Sequence, residues 1–213
     1  MVARSYPNRK LAVSDIIHIL RSHYEGTQYD QTTDEVLDQY GDPHHTPVRV
    51  ICTASTQESF VMQQRAHMPA FIGNIYWRTQ GRPCEGVYVP WYLGILEIPT
   101  PYAVGEPARY NSPLEERYYD PDSAYWVYNR MNTLVDMDYR VRQPLVRNFW
   151  DDVEATEFEL QKEVEKTAKK LYRGHKGKGG DEYLAQWFLT RYTESLALNV
   201  YYKALEFIDQ FSD

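Results

Sequence analysis

The apolar residues change their period partway along the chain. Ahead of Pro121 they fall in short alternating or β-branched runs, and beyond it they recur every three or four positions. Leu11 to Glu25 predicts a helix near the start, with Ile16, Ile17, Leu20 and Tyr24 on one face. Ser14 is suited to cap it, Asp15 to sit in its first turn and Gly26 to end it. Residues 27–47 read as a loop broken by Asp42-Pro43 and Thr46-Pro47. Four strand candidates follow: the β-branched run 48–55, the alternating stretch Ser59–Gln64, Ala70–Arg78, and Val87–Val89. In the second of these, Phe60 and Met62 fall on one face and Ser59 and Val61 on the other. The links are too short for crossover helices, so an antiparallel sheet of about three to five strands is expected.

Helical spacing governs the rest. A helix capped by Asp122 or Ser123 is expected to run to about Asn148 through Val127, Met131, Leu134, Val135 and Val141, with a kink or break at Pro144. A second extends over Phe149–Tyr172 and a third over Asp181–Phe211, joined by the connector RGHKGKGG (173–180) as an antiparallel hairpin. Ten of the 12 prolines lie between Pro43 and Pro121, which agrees with strands and ordered loops in the middle and helices afterwards. The expected organisation is a sheet-bearing region over residues 1–120 and a helical region over 121–213.

Composition removes several classes of function. With 43% hydrophobic and 25% charged residues, the 213-residue chain is a globular one rather than a disordered one. A net charge of -7 argues against nucleic acid or an anionic membrane as a bulk electrostatic partner. There is no apolar run long enough for a transmembrane helix and no secretory leader at the first residues, so a cytoplasmic location is expected. Two cysteines are too few for a disulfide framework or a cysteine zinc cage. The 19 tyrosines are the unusual feature.

Candidate chemistry is sparse. RGHKGKGG lacks the Lys-Ser or Lys-Thr of a phosphate loop and joins two helices. His44-His45 has only Asp42 as an evident companion, and His18 and His23 are five apart, so no metal or other cofactor is expected. Cys52, inside a β-branched run, reads as a buried structural thiol. Cys84 lies beside Arg82 in a loop framed by Gly81 and Gly86, which makes it the more reactive-looking thiol. An arginine projecting from such a loop suits a carboxylate clamp or an oxyanion stabiliser, or else a plain salt bridge.

Several stretches together resemble one family. They are HYEGTQYD (23–30), YGDP (40–43), ICTASTQESFVMQQR (51–65), GRPCEGVYVPWYLGI (81–95) and PARYN (107–111). Their order is similar to that in the bacterial dipeptidases of the N-terminal-nucleophile (Ntn) cysteine hydrolases, the dipeptidase A and secernin group. The resemblance covers roughly residues 11–150. It implies an α+β fold, part of an Ntn αββα sandwich followed by the helical hairpin. It also implies metal-free hydrolysis of dipeptide amide bonds by a cysteine at the start of the mature chain, with its own α-amino group as base. Residue 1 here is Met and residue 2 Val. The chain is therefore expected to be the C-terminal part of such an enzyme, without the nucleophile and inactive alone. Its expected partners are the missing N-terminal half and a dipeptide substrate, with homo-oligomerisation also open.

Within this resemblance Arg82 is the first candidate for oxyanion or substrate contact. Thr56, Gln57 and Glu58 are candidate substrate-binding residues: a side-chain or backbone donor among the three, not assigned to one of them, would complete an oxyanion hole, or Glu58 would instead bind the substrate's free amino group. Two other readings stay open. One is a non-catalytic binding or assembly module with a tyrosine-rich surface. The other is an enzyme using Cys84 as an internal nucleophile.

Overall fold

A computed structural model describes residues 10–103, 119–174 and 180–212. The motif at 107–111 and most of the 173–180 connector lie outside the described residues. In chain order the elements are α1 (Val13–Leu20), α2 (Asp34–Tyr40), β1 (Glu58–Gln63), α3 (Ala70–Gly73), β2 (Ile75–Gln80), β3 (Val89–Tyr92), α4 (Thr100–Ala103), α5 (Ala124–Met137), α6 (Tyr139–Arg173) and α7 (Glu182–Ser212). The class is α+β, as expected. One antiparallel sheet of order β1-β2-β3 is described, with Glu58 opposite Gln80 and Ile75 opposite Tyr92. A second sheet of a sandwich is not found among the described residues.

The period-2 pattern of β1 is realised as read: Ser59 is buried and Val61 half-buried, whereas Phe60 and Met62 are exposed. Behind the sheet, Ile75, Trp77, Tyr88 and Tyr92 pack with Ile17 of α1, Val164 of α6 and Leu189 of α7. Phe158 stacks on Trp77 with ring centroids 4.6 Å apart. A second core joins Val89 and Trp91 to Val127 and Met131 of α5, Trp150 of α6, and Val200 and Phe207 of α7. Helices α6 and α7 pack along one another, and α5 and β3 both contact α7.

Several elements depart from the sequence expectations. Helix α1 starts at Val13, not Leu11, because the Asp15 carboxylate reaches back to the Ala12 amide at 2.8 Å, which leaves Ser14 inside. It stops at Leu20 rather than Glu25, where the Arg21 side chain turns into the interior. The expected loop 27–47 contains α2, which Thr33 caps by accepting from the Val36 amide. The β-branched run 48–55 is not a strand. The Cys52 amide donates to the Ser22 carbonyl and Thr53 turns back on Ile51, so the run has no ladder partner. Ala70–Arg78 divides into one helical turn, set by Pro69, and then β2. The late helix breaks at Asp138 and not at Pro144. There Arg142 donates to the Leu134 carbonyl at 2.7 Å and closes α5, while Pro144 sits in the second turn of α6 at the cost of one helical hydrogen bond.

Tyrosine is mostly structural. Tyr88, Tyr92, Tyr128, Tyr139 and Tyr201 are buried, while the exposed Tyr29, Tyr40 and Tyr119 lie on separate segments and Tyr183 and Tyr202 well apart along α7. Trp150 ties the layers together. It is fully buried, meets Phe207 edge-on and donates to the Glu85 carbonyl at 2.9 Å. Trp150→Ala is expected to lower stability by about 3–5 kcal/mol. The measurement is the shift of the urea unfolding midpoint at unchanged slope.

Candidate functional site

The loop between β2 and β3 is the centre of the polar structure. Gly81 has φ +66, and a Cβ there would lie 2.2 Å from Asn132 Oδ1. A Cβ on Gly86 would meet Thr79 Oγ1 at 2.1 Å. Both glycines are thus required by conformation and close approach. Long-range donors fix the loop's carbonyls. Arg21 Nε donates to Pro83 O at 2.8 Å and Arg147 Nη1 to Gly86 O at 2.9 Å. Between the two arginines lies the buried Glu154 carboxylate, which also accepts from the Tyr88 amide at 2.7 Å.

This loop carries three chemically active side chains inward. Arg82 is buried, with Nε and Nη2 3.2 and 3.1 Å from Glu85 Oε2, and with Nη1 on Asp136. Its amide donates to Asn132 Oδ1 at 3.2 Å. Complete burial pushes the Glu85 carboxyl up to about 7, against the downward pull of the Arg82 and His44 charges. Burial acts against ionisation of Asp136 as well, yet hydrogen bonds and charge from His44 and Arg82 hold it below the usual carboxylate range.

Cys84 meets two histidines. His44 Nε2 is 3.2 Å from Cys84 Sγ and 3.1 Å from His23 Nε2. The far ring nitrogens face carboxylates: His44 Nδ1 is 2.9 Å from Asp136 Oδ1, and His23 Nδ1 is 3.0 Å from Glu25 Oε1. Cys52 completes the group, and all four residues are buried. Desolvation disfavours protonation of the rings, but their partners outweigh it, raising His23 to about 9 and His44 to about 10. Burial pushes the Cys84 thiol well above its ordinary range, which is the opposite of an activated nucleophile.

Two clefts flank the cluster. One, of about 420 Å³, runs past Arg21, His23, Cys84, Tyr139 and Arg147. The other, of about 380 Å³, is lined by Asp42, Thr56, Arg82, Asn132, Thr133 and Asp136. Thr56 and Arg82 thus line one cleft. Gln57 is exposed and joins the loop through its carbonyl, which accepts from the Gly81 amide at 2.8 Å. Glu58 lies elsewhere, on the sheet surface with Arg78 and Tyr76. The guanidinium of Arg82 is occupied by two carboxylates, so its first role is to hold this polar core. Sequence reading missed Glu85, Asp136, Asn132 and the joining of His23 to His44. Only the folded chain places residues this far apart side by side.

Removing the arginine would strand Glu85 and Asp136. Arg82→Ala is expected to destabilise the chain by about 3–5 kcal/mol, as for other broken buried ion pairs. Urea unfolding followed by tryptophan fluorescence gives that number. An unchanged midpoint would show that the pair network contributes nothing.

The sequence model of Peptidase family C69 matches residues 2–152. A probable dipeptidase of Salmonella dublin is 35% identical over 89 residues, covering 42% of this chain and 19% of that protein. A probable dipeptidase of Latilactobacillus sakei is 27% identical over 132 residues, which is 62% of this chain and 25% of the relative. Probable dipeptidase B of Lactococcus lactis subsp. lactis (strain IL1403) is 27% identical over 165 residues, 75% of this chain and 31% of the relative. The chain thus spans between a fifth and a third of the length of the relatives it matches. The matched residues include α1, the whole sheet, the Arg82 loop and both clefts' loop walls, and on that ground the chain belongs to Peptidase family C69.

Proposed function

We propose that this chain is part of a dipeptidase that hydrolyses the amide bond of small dipeptides, and that the Thr56–Arg82 cleft receives the substrate. The observation that carries this reading is the family match over residues 2–152, which includes most of that cleft's walls. The cleft chemistry supports it. Asp42, whose Oδ2 meets the exposed His45 ring, supplies a carboxylate for a free ammonium group, Asp136 being committed to Arg82 and His44, and Thr56, Asn129 and Thr133 supply neutral polar groups for the peptide. This reading takes the amino-group contact from Glu58, which is held on the sheet surface, to Asp42.

Neither cysteine suits the attacking role. Both are buried, and burial disfavours the Cys84 thiolate. In this reading the nucleophilic thiol comes from another part of the enzyme. Its docking face is the open side of the sheet, where Phe60 and Met62 are exposed and β1 is an edge strand.

Titration of the 213-residue chain with dipeptides, followed by amide chemical shifts, tests the cleft. Perturbations are expected at Thr56, Asn129 and Thr133, and N-acetylation of the dipeptide is expected to remove them. Asp42→Asn keeps the acceptor oxygen and should weaken binding by roughly tenfold, about 1.4 kcal/mol. Equal binding of free and N-acetylated dipeptides would overturn the cleft assignment. Dipeptide turnover lost in a folded Cys84→Ser variant would overturn the assignment of the nucleophile.

A further inference from the structure

The four residues behind the Arg82 loop have a property that peptide hydrolysis does not use. His23 follows α1, His44 follows α2, Cys52 lies ahead of β1, and Cys84 lies between β2 and β3. One donor atom from each falls within 4.8 Å of every other. Their exposures are 2%, 7%, 0% and 3%, so solvent does not reach the group's interior.

The tautomers follow from the partners. A carboxylate accepts, so the Nδ1 atoms facing Glu25 and Asp136 carry protons, and each Nε2 is left to bind a metal ion once it gives up any proton it holds in the metal-free chain. The two Nε2 atoms face one another across 3.1 Å, and that of His44 also faces Cys84 Sγ at 3.2 Å. A proton on a ring nitrogen or on the thiol bridges such contacts one pair at a time, whereas one metal ion can engage all four donor atoms at once.

A tetrahedral ion accounts for all four. Bond lengths of about 2.0–2.1 Å to nitrogen and 2.3 Å to sulfur imply donor separations of about 3.3–3.8 Å, inside the 4.8 Å that bounds the group and a little longer than its 3.1 and 3.2 Å contacts. The carboxylate behind each imidazole is the arrangement that orients a metal-bound histidine and increases its basicity. A donor set of two sulfurs and two nitrogens selects zinc among the common divalent ions.

We propose that His23, His44, Cys52 and Cys84 form a closed structural zinc site. All four positions are filled by side chains, which leaves none for a catalytic water. Binding replaces two S–H bonds by two Zn–S bonds and any Nε2–H bond by a Zn–N bond, releasing the two thiol protons and those ring protons to solvent, so the ion and its two thiolates are together neutral. The site would join four segments that are far apart in sequence.

Zinc content and cobalt spectroscopy of the 213-residue chain test this. The chain purified from zinc-supplemented medium and desalted is expected to retain one zinc. After chelation, Co²⁺ should restore one equivalent with a thiolate-to-cobalt charge-transfer band and the intense visible bands of a tetrahedral site. Cys84→Ser and His23→Gln should remove retention, whereas His67→Gln should leave it unchanged. Glu25→Gln should weaken zinc roughly 10–100-fold. The cobalt spectrum of the unsubstituted chain decides the matter even where a variant does not fold. The proposal is overturned if no zinc is retained, if cobalt binds without the thiolate band, or if non-reducing mass analysis finds Cys52 and Cys84 joined as a disulfide.

Discussion

The carboxylate of Glu154 is the constraint on which the rest of the molecule hangs. It comes from the middle of a 35-residue helix and lies buried against two guanidinium groups and one backbone amide. A buried carboxylate in this position is tolerable only because its oxygens are met from several sides. Arg21 and Arg147 then spend their remaining donors on the carbonyls of Pro83, Gly86 and Cys84. A loop with no regular structure is thereby tied through its carbonyls to the end of α1 and to α6. Buried Arg82, Cys84 and Glu85 inherit their positions from that grip.

The second polar layer is built on the first. Arg82 pairs with Glu85 Oε2 and with Asp136, and Asp136 in turn orients His44 toward Cys84. Opposite charges and hydrogen bonds thus run without a gap from α5 through the loop to the histidine. The helix break at Asp138 belongs to the same arrangement. It follows two residues after Asp136 and frees the end of α5 to face the Arg82 loop. Family membership and this local chemistry meet in one region, since the loop's Arg-Pro-Cys-Glu sequence is both a family-like motif and the polar hub.

Legibility in the sequence tracked how local the cause was. The alternation of β1 and the amphipathic spacing in the late helices were readable because burial acts with a fixed period along one element. The run 48–55 misled because β-branched residues favour extension, while the strand needs a neighbour that the fold does not provide. Ser14 misled as a cap because Asp15 does the work one residue later. Arg82 and Thr56 could be singled out by motif, but the carboxylates that occupy Arg82 could not. Asp136 lies 54 residues away, and His23, His44 and Cys52 are isolated residues in unremarkable surroundings. Such groupings are properties of topology, and spacing along the chain does not encode them.

The same ion pair has a consequence for how the chain acquires its shape. Arg21 and Glu154 are separated by 133 positions, and Arg21 also reaches back from residues 62 to 65 positions later in the chain. Contacts of such separation carry the loop-closure entropy of everything between them. During synthesis the first helix therefore emerges long before its partner exists. The sheet that covers its apolar face is synthesised earlier, but the Arg21–Glu154 pair cannot form until the middle of the long helix has left the ribosome. Closure of the polar hub therefore follows, and cannot precede, the point at which α1 can pack on the sheet.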